Sequence, residues 1–191
     1  GPTTIDFTGT FANYARALEP LYLGIFVKSV VVAALTTLLC LIVGFPVALA
    51  IAFASPKAKA WLLLLIMLPF WTNLLIRTFA LIAVLREQGY VNFALEWLWN
   101  NASGFMTLIG LQPLGEFEPL TLLYNNFAVV VGLVYVHLPF MVLPLYSALD
   151  RMDRSLMEAS LDLGAGHLKT IFLVVVPLAA PGIASGILIT F

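Results

Sequence analysis

Residues 127–149 read FAVVVGLVYVHLPFMVLPLYSAL. The stretch holds no Asp, Glu, Lys or Arg, and its residues do not alternate in polarity. A helix crosses the hydrocarbon core with ~20 apolar residues, whereas an open strand would leave unpaired backbone groups in lipid. Transmembrane β-strands are shorter and alternate. The stretch is therefore expected to be a membrane-spanning helix. Three more runs, at about 29–54, 61–85 and 171–191, meet the same test.

The composition agrees. Of 191 residues, 62% are hydrophobic and 10% charged, where a soluble domain carries about 25% charged residues. Mean hydropathy is +1.03, which leaves too little polar surface to cover a globule in water. The expected fold is all-α and integral to the membrane, a polytopic helical bundle forming a single domain over 1–191. A net charge of −1 gives no reason to expect nucleic acid. Cys40, the only cysteine, lies inside an apolar run, which excludes a disulfide framework and fits an inert buried thiol. The chain lacks an initial Met, opens on Gly1-Pro2 and stops at Phe191 inside a hydrophobic run. It is expected to be part of a longer protein.

Sidedness follows from Lys and Arg in the short connections. The first carries Lys57 and Lys59; the third, 150–170, carries Arg151, Arg154 and Lys169. Both are expected on the cytoplasmic side. The second connection, 86–126, has one Arg and four Glu (87, 96, 116, 118) and is expected outside. Its Trp97 and Trp99, with Tyr90 and Phe93, suit an interfacial aromatic belt and a short amphipathic surface helix. The segment up to Lys28 is expected outside too, with FANYARALEPLY as another surface helix ending near Pro20.

Every apolar run contains proline: Pro46, Pro69, Pro139 with Pro144, and Pro177 with Pro181. Proline interrupts the hydrogen-bond ladder and kinks the helix. Kinks in each span favour a bundle that opens a cavity over an inert anchor. Arg77 closes LPFWTNLLIR, where a charge at mid-bilayer costs ~2.5–3.5 kcal/mol. It either snorkels at the outer end or faces a cavity, and Asn73 shares its face at i−4. His137, near the middle of the third run, either bonds a neighbouring helix or serves a cavity. His167 is distant in sequence, so no metal site is implied. Gly182 and Gly186 form a GxxxG pattern that permits close helix approach.

Between the last two runs lies MEASLDLGAGHLKT, 157–170. Just before it, Ser155-Leu156-Met157-Glu158 has the S-x-x-E capping pattern, with Ser155 as the expected cap. Gly164 is placed to end the helix. A helix of about two turns is expected, with Leu156, Ala159, Ser160 and Leu163 on one small apolar face. That face suits docking in a groove of another protein, or packing on its own bundle. Gly164-Ala165-Gly166 follows no strand and lacks the third glycine of a dinucleotide fingerprint, and no G-x-x-x-x-G-K-[ST] occurs. Any ATP use must reside in a partner. No nucleophile–base set and no metal cluster stands out, so no catalytic residue is assigned.

This loop resembles the EAA motif of ABC importer permeases, patterned E-A-A, three residues, G, nine residues, I-x-L-P. Here it reads Glu158-Ala159-Ser160, Gly164, then Val174-Val175-Val176-Pro177. LPFWTNLLIRTFAL and GLVYVHLPFMVLPLYSAL are similar to the spermidine/putrescine permease subfamily. The resemblance implies about four spans of a six-span type I permease subunit in a bacterial inner membrane. It implies that Ser155, Leu156, Glu158, Ala159, Ser160, Leu163 and Gly164 form a coupling helix seated in a cytoplasmic ABC ATPase dimer. It further implies a second permease subunit and an external substrate-binding protein, with ATP and Mg confined to the ATPase. A weaker expectation places Trp71, Asn73, Arg77, Tyr135, His137 and Phe140 along the substrate path, with Phe70 as a further aromatic. An importer for iron or an organic ion, an ion-coupled secondary transporter and a membrane scaffold are the alternatives. A secondary transporter usually carries ionisable groups at mid-membrane, and only His137 qualifies.

Overall fold

The computed structural model describes residues 20–110, 112 and 115–191. The expected surface helix before Pro20 lies outside these residues. The described chain is helical: α1 Pro20–Phe53, α2 Pro56–Trp71, α3 Leu74–Leu85, α4 Tyr90–Leu108, α5 Asn126–Asp150, α6 Ser155–Asp162 and α7 His167–Thr170. A π-helical turn, Ile171–Val175, leads into α8 Val176–Leu178 and α9 Ala180–Thr190.

α1 starts on Pro20, whose missing N–H costs nothing in a first helical turn. It therefore takes in Lys28 and the residues from Pro20 before it, which the sequence reading left in the preceding segment. At 34 residues it is about 51 Å long, well beyond a ~30 Å hydrocarbon core. α5 covers the run 127–149 and is likewise long and apolar enough to cross a membrane.

The other two runs are each split. α2 stops at Trp71, and the axis of Pro56–Trp71 stands at 99° to that of Leu74–Leu108. Pro69 has no N–H for the carbonyl four residues back. Thr72 is extended, with ψ 144°, and its hydroxyl donates to the Pro69 carbonyl at 2.8 Å. Asn73 then starts α3 by accepting from the Leu75 amide at 2.8 Å, the local bond that lets Asn begin helices. The run at 171–191 contains the π turn and a second break at Ala179, with His167–Leu178 at 69° to Ala180–Thr190. Pro177 and Pro181 withhold two successive ladder donors there. Counting each bent pair as one span gives up to four crossings among the described residues.

The core lies where α5 packs between α1 and α9. Cys40, Ala48 and Ile51 of α1 meet Met141, Val142 and Leu145 of α5, with Val175 beneath. The GxxxG pair finds its partner in α5. A Cβ on Gly182 would lie 2.5 Å from Ala148 Cβ and 2.8 Å from the Pro144 carbonyl, and one on Gly186 would lie 2.7 Å from Met141 Sδ. Small residues are what let two backbones come this close. The outward sides of the helices stay apolar, Leu38, Phe79 and Leu188 among them, as suits surfaces covered by lipid or other helices rather than water.

Candidate functional site

One end of the bundle gathers the basic connections. Lys59 at the start of α2 pairs with Asp150 at the end of α5 and lies 5.7 Å from the centre of the Tyr146 ring. The 54–55 turn and the α5–α6 connection thus occupy the same end. α6 lies there as a helix of eight residues.

Its two ends are defined by different chemistry. Asp153, not Ser155, closes the first turn: its carboxylate accepts from the Ser155 amide at 3.0 Å, and its carbonyl accepts from Leu156 N at 3.3 Å. Ser155 is the first helical residue, and Arg154 occupies the cap position without a side-chain cap bond. A carboxylate two residues earlier serves an orphan amide better than a hydroxyl, because a charged acceptor binds it more strongly and faces the positive helix end. Donation by the Ser155 backbone and side chain holds the Asp153 carboxyl below its ordinary value. Glu158, in the first turn, makes no side-chain hydrogen bond to another described residue, so the reciprocal half of the capping box does not form. At the other end Gly164 has φ +84°. Gly164 N donates to Leu161 O at 2.9 Å and Ala165 N to Ser160 O at 3.1 Å, the paired bonds of a Schellman turn.

α6 packs through Met157, which joins the core cluster, and through Ser160, whose Oγ lies 3.0 Å from Thr170 Oγ1. A cavity of about 130 Å³ remains under the helix, bounded by Leu49, Phe53, Met157 and Leu161. The face expected to be presented divides. Ser160 turns inward, while Leu156 and Leu163 are exposed, Leu163 to 89%, and Ala159 and Glu158 are exposed beside them. Sequence reasoning missed Arg154 and Thr170. Arg154 Nη2 donates to the Ala52 carbonyl at 3.0 Å, and its guanidinium lies 5.0 Å from the Phe53 ring centre.

The residues expected along a substrate path fall into three groups. Phe70, His137 and Phe140 come together: Phe140 lies edge-on to Phe70 at 5.5 Å and 6.3 Å from His137. His137 Nδ1 is 2.8 Å from the Leu133 carbonyl of its own helix, not bonded to a neighbouring one. A carbonyl only accepts, so Nδ1 is the donor in this contact, and in the neutral ring that tautomer leaves the lone pair on Nε2. Trp71 and Asn73 flank the α2–α3 break, Asn73 as the α3 cap. Arg77 sits one turn further, half-buried, its Nε without a partner among the described residues. Tyr135 stands apart, lining an apolar cavity of about 530 Å³ between α1 and α5 with Leu39 and Val43. Two residues from His137 on a helix, it points to the opposite side.

At the other end, α4 extends over 19 residues, longer than the short surface helix expected. Asn92, 3% exposed, donates to the Leu120 carbonyl and accepts from the Leu120 amide, both at 2.9 Å. Trp99 Nε1 donates to the Gly115 carbonyl at 2.8 Å. Only a fold that returns 115–120 to α4 reveals either pairing. No group of three potential metal ligands occurs among the described residues.

Comparison with known proteins agrees with this architecture. The chain is 40% identical over 181 residues to the spermidine/putrescine transport system permease protein PotB of Salmonella typhimurium, covering 94% of this chain and 58% of that protein. The Escherichia coli PotB gives 40% over the same length, covering 94% and 60%. The Haemophilus influenzae PotB gives 38% over 189 residues, covering 99% and 61%. The chain thus spans about three-fifths of the length of these relatives. The family model described as "Binding-protein-dependent transport system inner membrane component" matches residues 21–191. With that match over nearly all of its length, the chain belongs to this family of inner-membrane transport components and is a multi-pass membrane protein.

Proposed function

We propose that this chain forms part of the membrane-spanning permease subunit of an ATP-driven importer for polyamines, substrates such as spermidine and putrescine being delivered by an external binding protein. The observation that carries the reading is α6. It is a short helix with an aspartate turn leading into it and a glycine stop, exposing Leu156, Ala159 and Leu163 at the basic end of the bundle. A helix built only to pack on its own bundle has no use for that exposed ridge. In this reading the ridge docks in a groove of a cytoplasmic ATPase, which holds the ATP and Mg. Hydrolysis moves α6, and the broken spans around it switch access to the path. A second permease subunit completes the pore.

The polyamine assignment is supported by the PotB relatives and by the chemistry of the Phe70–His137–Phe140 group. Two aromatic faces and a neutral imidazole can receive an ammonium through cation–π contact and the Nε2 lone pair. The apolar runs contain no Asp or Glu, so this group alone gives modest affinity. Selectivity is then shared with the binding protein and the second permease.

The test uses the full-length chain assembled with its ATPase and second permease in proteoliposomes. Uptake of labelled spermidine and putrescine should depend on ATP and on the binding protein. Leu163→Asp should abolish uptake and release the ATPase from the membrane fraction while the permease stays inserted. Uptake of neither polyamine, with uptake of another solute, would remove the substrate assignment.

A further inference from the structure

α1 ends in a way that its own sequence cannot satisfy. The carbonyl of Ala52, in the last turn of α1, would ordinarily accept from the amide four residues on, but that residue is Pro56 and has no N–H. Ala54 N is already engaged with Ile51 O at 3.1 Å. Ala52 is 2% exposed, so water cannot readily supply the missing donor, and a buried carbonyl left alone is costly. The donor comes from 102 residues away: Arg154 Nη2, at 3.0 Å. The guanidinium also lies over the Phe53 ring and places positive charge at the negative end of the α1 dipole.

Arg154 immediately precedes α6, so this contact joins α6 to α1 at its root. The α9 side offers no equivalent. A cavity of about 620 Å³ lies between α6 and α9, with Asp153 and Leu156 on one wall and Pro181 and Ser185 on the other. On the α1 side, Met157 adds apolar packing against the core cluster, and the Arg154 bond to Ala52 supplies the directional polar link.

We propose that Arg154 is the positioning residue that fastens α6 to α1, so that the two travel as one body when α6 is displaced. This rests on the reading of α6 as the element that receives work from a partner ATPase.

The experiment measures a distance and a rate in the assembled transporter. Nitroxide labels are placed at Ala50→Cys, on the exposed side of α1, and at Asp162→Cys in a Cys40→Ala background, with the other subunits free of accessible cysteine. With Arg154 present, the label separation should be narrow and equal in the nucleotide-free and ATP-trapped states. Arg154→Met keeps aliphatic bulk on Phe53 but removes the donor. It should broaden the separation, make it differ between states and lower uptake about tenfold or more while ATP hydrolysis persists. Arg154→Lys, which can still donate to the Ala52 carbonyl, should recover part of both, whereas loss of a merely structural contact would lower the amount of assembled protein instead. A separation in the native chain that differs between states would overturn the proposal. So would Arg154→Met with native separation and uptake. Failure of the docking reading is visible separately, as Leu163→Asp that leaves the ATPase bound.

Discussion

Ser160 Oγ and Thr170 Oγ1 lie 3.0 Å apart across the Gly164 turn. Thr170 is 1% exposed, so its hydroxyl depends on protein partners. Ser160→Ala should destabilise the folded chain in micelles by about 1–3 kcal/mol, the cost of leaving a buried polar group unpaired. Adding Thr170→Val should return part of that loss, because both partners are then apolar. Thermal unfolding of the two single variants and the double variant gives the coupling, expected at about 0.5–1.5 kcal/mol. Strict additivity would show that the two hydroxyls do not interact.

Gly164 stands at φ +84°, and a Cβ there would meet nothing within 4 Å. The cost of a side chain is therefore one of backbone conformation alone, about 1–2 kcal/mol for a residue such as Val. Asn, which tolerates this region, should cost less. Uptake and stimulated ATP hydrolysis should follow the order Gly, Asn, Val, with membrane insertion equal in all three. Full uptake with Val would separate the turn from coupling.

Gly182 and Gly186 both approach α5, but they meet different obstacles. A Cβ at 182 runs into Ala148 Cβ and the Pro144 carbonyl, while one at 186 first meets the mobile end of Met141. Gly182→Ala should cost about 1–3 kcal/mol from overpacking, and Gly186→Ala less because Met141 can re-seat. The fraction surviving heating in detergent reports the order. A larger loss at 186 would mean that the α5–α9 seam is tightest elsewhere.

The Asp153 carboxyl is held below its ordinary value by the Ser155 bonds. A lowered folded-state value means that its stabilising effect is fully present above the unfolded value, about 3.9, and is lost as pH falls through the folded one. The start of α6 should thus be insensitive to pH near neutrality and fray only on strong acidification. A carboxyl carbon titration by NMR should give a midpoint below that of unfolded Asp, and Ser155→Pro, which removes the donor amide, should raise it. A midpoint at or above the unfolded value would exclude the cap.

These contacts show where sequence was enough and where it was not. Apolar length identified α1 and α5, because crossing lipid demands a continuous helix. The same criterion passed over the breaks at Thr72–Asn73 and Ala179. Hydropathy does not register a proline that withholds a donor or an asparagine that restarts a helix four residues later. The end of α6 was legible because few residues other than glycine occupy φ +84°. Its start was misassigned by one residue, since Arg154 and not Ser155 holds the cap position, and only geometry shows that Asp153 supplies the accepting carboxylate. Arg154, Thr170 and Asn92 left no local signal. Their partners are 102, 10 and 28 residues distant, and that pairing exists only after the chain has folded.

The 69° elbow between His167–Leu178 and Ala180–Thr190 has a mechanical corollary. An angle nearer to a right angle than to a straight line cannot transmit thrust end to end. A push entering through Thr170 and running along the first arm arrives at the second mostly sideways, as in a bell-crank. Since the second arm bears on α5 through Gly182 and Gly186, the outcome at that seam is shear, with little piston travel.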